Sequence, residues 1–117
     1  MQYVATTMGE PPVMEAQQLR GLLQSCDNDF PDVYRAARSL GMSSRTLSRR
    51  LSRAGTSYSE ILNDVRMARA AQLMRVGWPI HAIGMQVGYS DASNFRRAFK
   101  RWTGQTPESF RRGLLDS

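Results

Sequence analysis

The 117 residues include one cysteine (Cys26), one histidine (His81) and one lysine (Lys100). A single cysteine excludes an intramolecular disulfide. The one His and the one Cys stand 55 positions apart, which leaves little material for a four-ligand zinc site or a Cys–His nucleophilic pair. No run reaches the ~20 apolar residues that a bilayer span needs. The opening MQYVATTMGEPP lacks the basic and apolar regions of a signal peptide. No segment alternates with the period of a strand. These shortages predict an all-α chain in a reducing, cytoplasmic setting. They also predict no catalytic residue, no metal, no cofactor and no membrane partner.

Charge of one sign is what the chain has in plenty. It carries 16 Lys+Arg against 10 Asp+Glu, for a net charge of +6. The only acid-rich stretch is residues 1–32, where Glu10, Glu15, Asp27, Asp29 and Asp32 face Arg20 alone. Every other base lies beyond it. A basic body built on arginine points to phosphates and guanine edges, because a guanidinium engages both bidentately. A generically basic soluble protein is the plainer alternative.

Apolar periodicity and stop signals predict about seven helices. Residues 1–12, ending in Pro11-Pro12, read as a tail or linker remnant. A helix over about 13–25 carries the stripe Leu19, Leu22, Leu23 and Cys26. A second, over about 32–40, starts at Pro31-Asp32 and turns in Val33, Ala36, Ala37 and Leu40. A third, over 44–54, is capped by Ser43 and turns in Leu47 and Leu51. The longest, about 58–76, opens on the capping box Ser57-x-x-Glu60. Its expected buried stripe is Tyr58, Ile61, Leu62, Val65, Ala68 and Leu73. A fifth covers about 80–87 with Ile80, Ile83 and Val87 inside. A sixth, about 91–103, is capped by Ser90 and turns in Phe95, Ala98, Phe99 and Trp102. The seventh, about 107–114, starts at Thr106-Pro107 and turns in Phe110 and Leu114.

The chain repeats itself. Val33, Ala37 and Gly41 recur 47 residues on as Ile80, Gly84 and Gly88. Leu47 and Leu51 recur 48 on as Phe95 and Phe99, and Gly55 recurs 49 on as Gly104. Each copy has a helix with a small residue four before a glycine, a turn, and a second helix with a basic outer face. That is the helix-turn-helix layout, in which the second helix enters the major groove. The fourth helix lies between the copies. Its length of roughly 28 Å is a little under the ~34 Å turn of B-DNA, which predicts two reading helices about one turn apart.

The second half resembles the signature of the AraC/XylS family of bacterial transcription regulators. The residues that carry the resemblance are Ile83-Gly84, Gly88-Tyr89, Phe95, Phe99-Lys100, Gly104, Thr106-Pro107 and Phe110-Arg111. In the first half they are LGMSSRTLSRRL, with Arg66, Ala70, Leu73 and Met74. Gly84 stands where the family usually has alanine, which predicts a looser fifth helix, and Tyr89 replaces the usual phenylalanine. The resemblance implies a DNA-binding domain over 13–114. Its first helix-turn-helix subdomain covers about 13–56, its linker helix about 57–77 and its second subdomain about 78–114. The scaffold positions are Ala37, Gly41, Gly84, Gly88, Phe95, Phe99, Gly104 and Pro107.

The family's base-reading positions fall on Arg45, Ser48 and Arg49 in the third helix, and on Ala92, Ser93, Arg96 and Arg97 in the sixth. Arg50, Arg53, Lys100, Arg101 and Arg111 suit phosphates. The implied partners are double-stranded promoter DNA and RNA polymerase, at the bacterial nucleoid. An isolated domain of this kind is expected to be monomeric, with dimerisation left to a separate N-terminal domain. Two other classes remain open from the residues alone: a helical module whose basic face meets an acidic protein, and an accessory DNA-binding segment of an enzyme such as a repair protein.

Overall fold

The structure is a computed structural model that describes residues 10–116, with side chains from 14 to 114. Seven helices follow one another among the described residues: α1 (Glu10–Gln24), α2 (Val33–Ser39), α3 (Ser44–Arg53), α4 (Tyr58–Arg75), α5 (Ile80–Gln86), α6 (Ala92–Thr103) and α7 (Pro107–Asp116). The all-α expectation of about seven helices is met. The chain divides into two compact units. One is Phe30–Leu62 with the segment up to Cys26, and the other is Asn63 onward with Asp27–Asp29. The boundary falls inside α4.

In the first unit α3 packs against both α1 and α2. Leu19, Leu23, Ala36, Ala37, Leu47 and Leu51 are completely buried. Their spacings put each set on one helical face, so burial of those faces drives the packing. The caps anticipated from sequence form. Asp32 accepts from the Arg35 amide at 2.8 Å, and Ser43 from the Thr46 amide at 3.1 Å. At α4, Ser57 accepts from the Glu60 amide at 3.1 Å.

Two expectations for this unit need correction. First, α1 begins at Glu10, so Pro11 and Pro12 lie in its first turn and not in a tail. A first turn has no internal use for the missing N–H and tolerates the fixed φ. Second, Cys26 lies beyond the end of α1 and is half-buried, with its thiol donating to the Leu22 carbonyl at 3.3 Å.

The second unit is built on Met67, Ala70, Met74, Ile83, Val87, Phe95 and Phe99, with Leu73, Ile80, Tyr89, Phe110 and Leu114 packed against them. A relay of rings runs through it. Tyr89 to Phe95 and Phe95 to Phe99 are each 5.7 Å between centroids, and Phe99 to Phe110 is 5.3 Å and edge-on. Such tilted contacts match positive ring edges to negative faces. Asp27–Asp29 joins this unit through backbone carbonyls. Arg69 donates to that of Asp27 at 2.7 Å, and the Asn28 side chain to that of Met85 at 3.4 Å.

Helix α4 departs from the single stripe expected of it. Ile61 and Val65 are buried, but so are Met67, Ala70 and Met74, while Ala68 is exposed and Leu73 only half-buried. At about 100° per residue, Met67, Ala70 and Met74 point roughly half a turn away from Ile61 and Val65. The early and late turns of one helix bury different faces. A single period averages the two and so predicts Ala68 inside.

The repeat survives in the backbone. Gly41 (φ 77°) and Gly88 (φ 98°) are both left-handed. The amide of the next residue then reaches back across the turn, Met42 to the Ala37 carbonyl at 3.0 Å and Tyr89 to the Gly84 carbonyl at 2.9 Å. A residue with a Cβ is strained in that conformation. The second turn is one residue longer, which moves the cap. Asp91, and not Ser90, caps α6, accepting from the Asn94 amide at 2.8 Å. Among the described residues Ser90 accepts only from the Asn94 side chain, at 3.4 Å.

Trp102 also departs from expectation. It is 38% exposed, although it continues the Phe95–Phe99 stripe. Periodicity sets the direction of a side chain, not how far along the axis a core extends, and this core stops at Phe99.

Candidate nucleic-acid interface

Helix α3 has one completely buried face, at Leu47 and Leu51, so its other residues are forced outward. Arg45, Ser48, Arg49, Ser52 and Arg53 are exposed. Arg45, Arg49 and Arg53 form no side-chain hydrogen bond or ion pair with another described residue. Two of these guanidiniums, Arg45 and Arg49, lie four residues apart on one face and are available to an outside acceptor. Arg50 behaves differently. Its Nη1 donates to Glu15 Oε2 on α1 at 2.6 Å, and the Glu15 side chain is only 9% exposed. This pair ties α3 to α1, so Arg50 has an internal role alongside any phosphate contact.

In the second unit Phe95, Ala98 and Phe99 are buried, which turns Ser93, Arg96, Arg97, Lys100 and Arg101 outward; Ala92 is half-buried. Both α6 arginines expected to read bases are held by neighbours. Arg96 donates from Nε (3.0 Å) and Nη2 (2.7 Å) to Oε2 of Glu108, in the first turn of α7. The hydrogen bond from Arg96 lowers the Glu108 pKa from the ordinary carboxylate value, and the same bond raises that of Arg96. Arg97 donates to the Asn94 side-chain oxygen. The Asn94 amide nitrogen is in turn held by Asp91 at 3.3 Å and Ser90 at 3.4 Å. Arg111, offered as a phosphate contact, is half-buried and donates to the Trp78 carbonyl.

A shallow hollow opens beside each turn. Tyr34, Arg38, Gly41, Met42, Ser43 and Ser44 line the first. The second is lined by Gly88, Tyr89, Ser90, Asn94, Arg97 and Arg101, among others. Tyr34, Arg38 and Asn94 therefore belong to the candidate surface, although neither the repeat nor the family resemblance singles them out. The signal was available for Tyr34 and Arg38, which avoid the Ala36/Ala37 face of α2. In the second copy, 47 residues on, their places are taken by His81 and Met85, so the two copies differ in charge at this point. Among the described residues, no group of His, Cys, Asp and Glu is disposed to hold a metal ion, and no helix is long and apolar enough to cross a membrane.

Two units, each with a left-handed glycine turn leading into a helix that buries one face and shows arginines on the other, define a helix-turn-helix DNA-binding domain. Residues 36–113 match the family described as "Helix-turn-helix domain". The chain belongs to this family in its AraC/XylS form. It is similar to the ornithine utilization regulator of Pseudomonas aeruginosa, with 45% identity over 95 residues, covering 80% of this chain and 28% of that protein. Among solved structures it is similar to the transcriptional regulator CdpR of the same organism. There the identity is 40% and the TM-score 0.79, over 84% of this chain and 31% of that one. It shares its fold with a regulator of the AraC-type DNA-binding group from Chromobacterium violaceum, at a TM-score of 0.79 and 23% identity, over 87% and 93% of the two chains. The chain thus spans about a third or less of the first two relatives.

Proposed function

We propose that this domain binds double-stranded promoter DNA in a sequence-specific manner, with α3 and α6 each entering a major-groove segment, and so controls transcription. The observation that carries the reading is α3. Its apolar side is completely buried and its opposite side offers Arg45 and Arg49, which have no partner among the described residues. In α3 the base readers are Arg45, Ser48 and Arg49. In α6 they are Ala92, Ser93, Arg96 and Arg97, with Ala92 limited to apolar contact such as a thymine methyl. Arg53, Lys100 and Arg101 are exposed and serve phosphates, while Arg50 and Arg111 contribute less because each already has an internal acceptor. Tyr34 and Arg38 add backbone contacts in the first unit alone. RNA polymerase is the proposed protein partner and the bacterial cytoplasm the proposed location. The role is binding and not catalysis, in keeping with relatives that are named as regulators.

Selection from a pool of random duplexes tests this directly. The expected result is an enriched site made of two short elements, bound with an affinity that falls steeply with salt as counterions are released. A pool that yields no motif, or binding indifferent to salt, overturns the reading and favours an acidic protein as the partner.

A further inference from the structure

Among the differences between the two copies is one pair of charged residues. Arg96 and Glu108 in the second copy correspond to Ser48 and Ser59 in the first, by the offsets of 48 and 49 that relate the copies. The cation and the anion therefore occur together in one copy and are both missing from the other. Within the second unit they meet with both donors on a single oxygen, at 3.0 and 2.7 Å. Glu108 has its own backbone fixed. It follows Pro107, which is completely buried, in a turn where Thr106 accepts from the Ser109 amide at 3.1 Å. A long, exposed arginine on α6 is thus tied to an anchored point on α7.

A guanidinium has five N–H bonds. Glu108 takes the one on Nε and one on Nη2. Both hydrogens of Nη1 and the second of Nη2 remain, and one from each of these nitrogens makes up the end-on fork that pairs with guanine O6 and N7. The carboxylate occupies the side of the guanidinium and leaves its end open. It also cancels charge. An acid close to DNA opposes phosphate attraction on every sequence alike, so this pair gives up general affinity. What it gains is order. A free arginine loses rotamer entropy when it is fixed on a base, and one held in advance loses less.

We propose that Glu108 is a positioning residue for DNA recognition, holding Arg96 by its Nε–Nη2 edge so that its free end reads one base of the second element, at the expense of sequence-independent affinity. The proposal rests on α6 being a reading helix. The experiment compares the unmodified chain with R96A, E108A, E108Q and the double variant R96A/E108A. Each is measured against the selected duplex, against single-base variants of it and against a random duplex, after a melt confirms that it is folded.

R96A is expected to lose about tenfold in discrimination at one base position. E108A should lose about three- to tenfold at that same position while binding the random duplex more tightly. In the R96A background, E108A should change nothing there. E108Q keeps an acceptor oxygen without the charge, so it should gain random-duplex affinity while retaining most of the discrimination. A uniform gain in E108A on all sequences, with discrimination intact, overturns the proposal and makes Glu108 a simple neutraliser. If R96A leaves every base position unchanged, the assignment of Arg96 as a reader is what fails, and the role of Glu108 falls with it.

Discussion

Gly84 on α5 lies so close to Phe95 on α6 that a Cβ placed on it would stand 2.9 Å from the Phe95 Cβ and 3.1 Å from its Cγ. In the first copy the corresponding residues are Ala37 and Leu47. One copy pairs a residue without a side chain with a large ring, and the other pairs a methyl with a smaller branched chain. By resemblance alone, Gly84 in place of alanine predicts a looser α5. Instead it is buried in packing that alanine would disturb. The clash is with the root of the phenylalanine side chain, which cannot swing aside as a flexible tip would.

Gly84→Ala is therefore predicted to destabilise the second unit. Alanine gains up to ~1 kcal/mol of helix propensity, against a typical overpacking cost of about 1–3 kcal/mol. The expected net loss is about 1 kcal/mol. Adding Phe95→Leu recreates the pair of the first copy, and the double variant should be more stable than the sum of the two single losses. Both tryptophans, Trp78 and Trp102, belong to the second unit, so denaturation followed by their fluorescence reports on it.

Asp91→Ala removes the α6 cap and the anchor for Asn94 together. A loss of about 1 kcal/mol is expected from the cap alone. Ser90→Ala should lose much less, because Ser90 makes no cap bond. Equal losses in the two variants, read by the same fluorescence, would return the cap to Ser90.

Arg50→Ala separates a structural role from a phosphate contact. The Glu15 carboxylate would be left buried, and its Oε1 already lacks a partner. The expected loss is about 1–2 kcal/mol, the low end for a broken ion pair, because Arg50 is 40% exposed and water screens the bond. Chemical denaturation without DNA checks this. Unchanged stability with weakened DNA binding would make Arg50 a phosphate ligand only.

Acid should undo the contribution of Glu108. Its folded pKa is lowered from the ordinary value of 4.5, chiefly by the hydrogen bond from Arg96. An unfolded chain then binds the proton more readily, so stability rises with pH across that interval. The difference in melting temperature between the unmodified chain and E108Q should be constant from neutral pH down to the ordinary carboxylate range. It should close as pH falls through the lowered value. A difference that persists in strong acid would show that the ion pair is not its source.

Arg49→Ala and Arg53→Ala should differ in kind. The first is predicted to relax one base position by ~1–3 kcal/mol, and the second to weaken all duplexes alike and reduce the salt slope by about one. Affinities for single-base duplex variants across a salt series distinguish them. If the two variants behave alike, the division of α3 into readers and phosphate contacts is wrong.

Much of this domain could be read from the chain because it is written in local rules. Ser43 and Asp32 cap the next turn, and Gly41 and Gly88 take a backbone that other residues resist. Leu47 and Leu51, like Phe95 and Phe99, repeat at the helical period. The copies align because each rule recurs at nearly the same offset. Such signals need only neighbours a few residues away. Helix α4 marks their limit, since its early and late turns bury different faces and no single period describes both.

By itself, then, the sequence determined the helices, the turns, the repeat and the outward basic faces, all of which follow from spacing along one chain. Only the tertiary structure decided which outward arginines remain free. Arg45 and Arg49 look outward without partners among the described residues, whereas Arg50 is held by Glu15 from 35 residues away and Arg96 by Glu108 from 12. It also decided that Trp102 stays exposed and that Gly84 is closely packed. A helical wheel sets the direction of a side chain, but its partner and the reach of the core depend on what a different helix brings to that point.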